Sequence, residues 1–144
     1  LGSSFLIGFI LSISFPASSS ETLEMLVDKK IQYYKVNGLN KTAEYWTSSK
    51  NNPKPILDGL QQIEYMYGGL HSYDVIATEK VSPKVSLVFA TLNYESGAAF
   101  MRMQWYFSPS NKWVLMHVAM NTEPFGLLPN MITFQDRLNA YYDE

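Results

Sequence analysis

The chain has 144 residues, of which 47% are hydrophobic and 15% aromatic, enough to fold as one domain that buries roughly two-thirds of its unfolded surface. Its formal charge of −2 and its scattered Lys and Arg residues exclude the concentrated positive surface of a nucleic-acid-binding protein. The absence of cysteine excludes a disulfide framework, a cysteine-based zinc site and a cysteine nucleophile.

The beginning of the chain is typical of a secretory signal peptide. An apolar run over residues 5–15 is followed by Pro16 and by four small residues that fit a cleavage site. The run is shorter than the roughly 20 apolar residues that a membrane-spanning helix needs, and an anchor helix is the alternative. No basic residue precedes Lys29, so we expect the N-terminus to be truncated. We predict a signal peptide over residues 1–19, a single domain over residues 20–144, and a periplasmic or secreted protein with no stable membrane anchoring.

Three helices are predicted before the first strand. Apolar residues recur at helical spacing over residues 21–36, with Ser20 as the N-cap and Gly38 as the end of the helix. A second, short helix is predicted to begin at Asn40. Residues 53–69 form a third, which opens with two prolines and ends with two glycines.

Four antiparallel strands are predicted after the helices. Alternating residues over 70–81 indicate the first, and two turn signals divide residues 85–120 into three more. We take Ser96 and Gly97 as a two-residue loop and residues 108–111 as the next loop. The registers that follow place twelve residues on one apolar face: Val88, Ala90, Leu92, Tyr94, Ala99, Met101, Met103, Trp105, Val114, Met116, Val118 and Met120.

The opposite face of the sheet, here called the mixed face, carries polar and aromatic side chains: Thr91, Phe100, Arg102, Gln104 and Tyr106. The predicted registers add Trp113 and His117 to this face. They place Arg102 opposite both His117 and Thr91.

The predicted fold class is α+β, with N-terminal helices packed on a curved, cone-like antiparallel sheet of four or more strands. A loop follows the sheet, and Phe134, Leu138 and Tyr141 indicate a short terminal helix.

The order and length of these elements across residues 21–122 resemble the nuclear transport factor 2-like superfamily, also called the cystatin-like cone. The ending, in which Trp113 to Val118 leads into Asn121 to Pro124, resembles it too. The chain is similar to secreted members of unassigned function more than to the enzymes. Ketosteroid isomerases and polyketide cyclases of that superfamily use an acidic base with tyrosine or acid donors, and no residues here match that pattern, so no catalytic residue is predicted.

The mixed face is the candidate binding surface, and two interpretations of it stay open. In the first it lines a cavity, in which Arg102 binds an anionic group and His117 and Gln104 form hydrogen bonds. The apolar walls of that cavity are Phe89, Phe100 and Trp113. In the second it is a partly wet outer face or a homodimer interface, since Arg, Trp and Tyr are enriched in interfaces. The predicted site residues are Thr91, Phe100, Arg102, Gln104, Tyr106, Trp113 and His117.

Other ligand sites have weaker signals. His71 and His117 have no ligand spacing with carboxylates, so neither a metal nor a cofactor is predicted. The methionines of the apolar face fit either core packing or a hydrophobic pocket beneath the helices.

These observations predict an exported domain that binds a small hydrophobic or anionic ligand or a protein partner, as a homodimer through the mixed face. The alternative is a small cone-fold enzyme of isomerase, cyclase or hydrolase type. A third class is a structural or inhibitor-like interaction module. A deep pocket with an acid beside a tyrosine favours the enzyme, and a flat aromatic surface favours the interaction module.

Overall fold

The computed structural model describes residues 2–3 and 21–128. The predicted signal peptide, the cleavage site near Ser19 and the terminal helix around Phe134 lie outside the described residues, so these remain predictions. In the described part three helices precede a four-stranded antiparallel sheet, which confirms the predicted α+β class.

The three helices are α1 (Leu23–Asn37), α2 (Leu39–Trp46) and α3 (Lys54–Tyr67). The N-cap of α1 is Thr22 and not Ser20, because the Thr22 hydroxyl accepts a hydrogen bond from the Met25 N–H at 3.3 Å. Gly38 has a φ of 78° and is the only residue between α1 and α2. Its positive φ lets the chain turn sharply there at no steric cost, so α2 folds back along α1.

The strands are β1 (Leu70–Lys80), β2 (Val85–Tyr94), β3 (Ala98–Phe107) and β4 (Trp113–Asn121), and they pair in chain order. A short 3-10 helix, η1 (Pro124–Gly126), follows them. The prediction of four antiparallel strands is therefore confirmed.

The register between β2 and β3 differs from the predicted one by two residues. Met103 pairs with Val88 and not with Ala90, because the two-residue loop lies one residue earlier than predicted. It consists of Glu95 and Ser96, since the Tyr94 N–H donates to the Gly97 carbonyl at 2.8 Å. The turn is held against the end of α3, where the Ser96 N–H donates to the Tyr67 carbonyl at 2.8 Å. A shift of two residues keeps every side chain on its predicted face, since strand side chains alternate with a period of two.

The register between β3 and β4 contains a β-bulge that the sequence analysis missed. Gln104 pairs with His117, but its neighbour Trp105 pairs with Leu115, so Met116 is an extra residue in β4. The bulge reverses the faces of the first half of β4. Leu115 is buried beneath the helices, as Met116 was predicted to be.

Four predicted positions in β4 are wrong for this reason. Trp113 and Leu115 belong to the helix-covered face, where both contact the core, and Val114 and Met116 are each 45% exposed. The predicted pairing of Arg102 with His117 and Thr91 is also wrong, because Arg102 pairs with Ala119 and with Phe89.

The main hydrophobic core lies between the three helices and the apolar face of the sheet. Met103 is fully buried at its centre, as predicted, and the helices contribute Val27, Ile31, Trp46 and Leu60. This burial fixes the relative positions of α1, α2 and the β3–β4 hairpin.

A smaller core lies on the mixed face. Phe89 is only 1% exposed there, and it contacts Leu128, which follows η1. Ile76 and Phe100 pack beside this pair. The end of the described chain therefore covers part of the mixed face.

Candidate functional site

A cleft of about 700 Å³ lies at one end of the helix layer. It opens between α1, the C-terminal end of α2 with the loop after it, and the β3–β4 hairpin. We call it the tryptophan cleft, because all three tryptophans of the chain line it: Trp46, Trp105 and Trp113.

One of the three tryptophans is anchored by contacts with α1. Trp46 is the last residue of α2, and its Nε1–H donates to the Lys30 carbonyl of α1 at 3.0 Å. Its indole also packs edge-on against Tyr34, with ring centroids 5.6 Å apart. These contacts hold the end of α2 against α1, so this wall of the cleft is rigid.

Trp113 reaches the cleft because of the β-bulge. It is the first residue of β4 and packs against Phe107, with ring centroids 5.1 Å apart. The bulge places Trp113 on the same face of the sheet as Trp105 and Leu115. The irregularity in β4 thus completes the aromatic lining.

Trp105 carries an unsatisfied hydrogen-bond donor. Its side chain is fully buried, and its Nε1 has no hydrogen-bond partner within the described structure. A buried donor without a partner costs about 1–3 kcal/mol, so native proteins nearly always pair such groups with protein, water or ligand. The Nε1 atom is closed off from solvent, so Trp105 lines the cleft with other atoms.

Charged groups at the cleft have a positive balance. Lys29, Lys30 and Lys112 line it together with one acid, Glu21, so three positive charges minus one negative charge leave +2. The whole chain has a formal charge of −2. Lys29 and Glu21 form an exposed ion pair at 3.4 Å, which leaves Lys30 and Lys112 as the lysines without a carboxylate partner among the described residues that line the cleft.

Lys30 occupies an unusual environment. Its Nζ donates to the Tyr45 carbonyl at 2.9 Å and lies 3.5 Å from the centroid of the Tyr45 ring. Both contacts favour the ammonium form. Burial and the neighbouring Lys29 outweigh them and lower the pKa of Lys30 to about 8.

The predicted site residues do not gather around this cleft. Thr91, Phe100, Arg102 and Gln104 are half-buried on the mixed face, and Tyr106 and His117 are more exposed there. The sheet brings Thr91 opposite Phe100 and Gln104 opposite His117. Trp113 is the one predicted site residue that lines the cleft, and it does so from the face opposite to the predicted one.

An acid beside tyrosines does occur, at another place in the core. The Tyr34 hydroxyl donates to Glu64 Oε1 at 2.8 Å and lies 3.2 Å from the Tyr94 hydroxyl. Burial raises the pKa of Tyr34 strongly and that of Tyr94 to about 12.

Neither the tryptophan cleft nor the small cavity of about 20 Å³ between α1, β1 and β2 is lined by this cluster. Its visible role is structural, since it links α1, α3 and β2 through buried hydrogen bonds.

In residues 2–3 and 21–128 no group of three His, Asp or Glu side chains could hold a metal ion. The helices of that part of the chain are all too short or too polar to cross a membrane.

Comparison of the chain with family models, with curated proteins and with solved structures finds no significant match. The argument about function therefore depends on the cleft itself.

Several residues of the cleft had no signal in the sequence analysis. Lys30 belongs to an ordinary pair of helix lysines, and Tyr45 and Trp46 belong to a short helix with no motif. The shared feature that could have identified the site is a tryptophan at the boundary of an element beside a polar loop, with Trp46 at the end of α2 and Trp113 at the start of β4. That pattern is common, so it has little predictive value by itself.

Proposed function

We propose that this chain is an exported small-ligand-binding domain whose ligand binds in the tryptophan cleft. The observation that carries the proposal is a cleft of about 700 Å³ lined by every tryptophan of the chain. Ligand pockets usually measure roughly 300–1,000 Å³ and have aromatic walls with a few polar groups. The chain therefore offers a ligand both enough volume and the right kind of lining.

The fold proposal is the nuclear transport factor 2-like superfamily. Its support is the order of elements, in which helices at the N-terminal side pack on one face of a four-stranded antiparallel sheet. In that arrangement a cleft between the helix layer and the sheet is a natural place for a ligand, because it has one apolar wall on each side.

Export is supported by the apolar run over residues 5–15 and the small residues after it. The periplasm or the extracellular space is the proposed location of the mature protein.

A homodimer through the mixed face is a second proposal, with an observation of its own. Tyr106 and Val114 are paired, and with the bulge residue Met116 they form an apolar cluster in which each side chain is at least 36% exposed. Exposed apolar clusters of this kind are common at protein interfaces.

The enzyme alternative has less support. It needs an acid beside a tyrosine in a pocket, and Glu64 with Tyr34 lines neither described cavity. A catalytic group must be able to reach its substrate.

The ligand proposal can be tested with N-phenyl-1-naphthylamine, a neutral aromatic dye that becomes fluorescent in apolar sites. Because every tryptophan lines the cleft, bound dye should quench tryptophan emission. Trp113→Ala should weaken binding about tenfold, as expected for loss of a central aromatic contact. Tyr106→Ala, on the opposite face, is the matched control and should bind as wild type does. A folded wild-type protein that binds neither this dye nor its sulfonated analogue, 1-anilinonaphthalene-8-sulfonate, would contradict the proposal.

A further inference from the structure

We propose that the ligand of the tryptophan cleft is an organic anion, with a flat apolar body held by the tryptophans and an acidic group facing Lys30 and Lys112. This inference rests on the proposed function, since it specifies the ligand of the same cleft. The acidic group is a carboxylate, sulfonate or phosphate, which share negative charge and acceptor oxygens.

The first step is the uncompensated charge of Lys30. Its ammonium group is half-buried, and within the described part of the chain no carboxylate lies in ion-pair range of it. Burying a cation without a counter-charge is unfavourable, and the Tyr45 carbonyl and ring compensate only in part. A bound anion would supply the missing counter-charge.

The second step is the sign of the local field. The lysines around the cleft outnumber the acids by three to one, although the chain as a whole is acidic. A concave surface with low-dielectric walls concentrates the field of its charges, so the cleft attracts anions and repels cations.

The third step is the shape of the lining. The apolar surface exposed in the cleft comes mainly from the half-buried side chains of Leu26, Tyr45 and Trp113, because Trp46 and Trp105 are each only 1% exposed. A small inorganic anion would leave this surface in contact with water, whereas a flat apolar body would cover it.

The test compares two dyes that share one ring system. 1-Anilinonaphthalene-8-sulfonate carries a sulfonate, and N-phenyl-1-naphthylamine lacks it. We expect Lys30→Met and Lys112→Met each to raise the Kd of the sulfonate dye about threefold to tenfold, as for loss of one partly exposed ion pair. The Kd of the neutral dye should change less than about twofold in both variants.

Two controls make the result specific. Lys80→Met removes the same charge from an exposed lysine that does not line the cleft, and both dyes should bind it as they bind wild type. Lys112 is exposed, so its variant remains informative if Lys30→Met fails to fold.

The outcomes separate the two proposals. If the lysine variants weaken the binding of both dyes equally, or of neither dye, the anion proposal is wrong. The proposal that a ligand binds in the cleft would then still stand. If folded wild-type protein binds neither dye, the proposed function itself fails. The relative strength of 1-naphthoate and 1-naphthyl phosphate as competitors of the sulfonate dye then shows whether the cleft prefers a carboxylate or a phosphate. If methyl 1-naphthoate, the neutral ester, displaces the sulfonate dye as effectively as 1-naphthoate does, the anion proposal is overturned.

Discussion

Among the lysines of residues 21–128, Lys30 has the environment that departs most from that of an exposed lysine. Its pKa of about 8 in the folded chain lies below the 10.5 of an ordinary lysine. Desolvation is the main cause, and the charge of Lys29 adds to it.

The first prediction concerns the pH dependence of stability. Between pH 8 and 10 the unfolded chain binds more protons at Lys30, so the free energy of unfolding should rise with pH, by about 1 kcal/mol after solvent screening. Above pH 10 it should fall, because unfolded tyrosines ionise while buried Tyr34 and Tyr94 hold their protons. Urea unfolding at each pH measures this. In Lys30→Met the free energy of unfolding should no longer rise between pH 8 and 10, but it should still fall above pH 10. If the rise persists in this variant, it comes from a group other than Lys30.

At the scale of the element, the β-bulge in β4 determines which side chains line the cleft. It reverses the faces of residues 113–116 relative to a regular strand. Leu115 is 7% exposed and Met116 is 45% exposed. Two adjacent residues of similar size therefore have opposite environments.

The second prediction uses this pair. Leu115→Asp should place a charge in the core and lower the free energy of unfolding by about 3 kcal/mol or more. Met116→Asp should change it by less than about 1 kcal/mol, because the carboxylate stays in solvent. Thermal or urea unfolding of the two variants measures both values. The reverse order of stability would mean that β4 has no bulge and follows the regular register.

The elements could be predicted from the sequence, but the bulge and the cleft could not. The helices have 3.6-residue periodicity, α1 and α3 end at glycines, and β3 alternates strictly, so their positions follow from local patterns. Residues 113–116 are all apolar, so no alternation marks the extra residue. The loop of Glu95 and Ser96 is held by the Tyr67 carbonyl, a contact between distant parts of the chain. The cleft likewise joins α1, α2 and the β3–β4 hairpin, which only tertiary packing brings together.

For the whole molecule, the two faces of the sheet have different proposed roles. The helix-covered face carries the cleft, and the mixed face has an exposed apolar cluster beside the part that Leu128 covers. Binding and self-association are therefore separable by mutation.

The third prediction concerns self-association. If the mixed face forms a dimer, Tyr106→Ala with Met116→Ser should weaken association about tenfold or more and leave the protein folded. Sedimentation velocity measures the change. Val36→Ser is the matched control, because Val36 is an exposed apolar residue of α1. A wild-type protein that sediments as a monomer at high concentration would contradict the dimer proposal.

The fourth prediction concerns export. The run over residues 5–15 is too short to span a membrane and is followed by small residues, so a bacterial host should release a mature chain that begins near Ser20. A basic N-terminal extension should be added to the expressed chain, because the printed sequence has no basic residue before Lys29. Mass spectrometry of the periplasmic and membrane fractions measures the N-terminus, and an intact leader in the membrane fraction would refute export by cleavage.

The central claim is that a ligand binds in the tryptophan cleft, and the indole N–H signals in a ¹⁵N NMR titration test it most directly. Each of Trp46, Trp105 and Trp113 gives one such signal, and single Trp→Phe variants assign them. On addition of 1-anilinonaphthalene-8-sulfonate all three signals should shift, because the dye binds against the elements that carry the three indoles. Saturable dye binding that leaves the three indole signals in place and shifts those of Arg102 and Gln104 would contradict the account and assign the ligand to the mixed face.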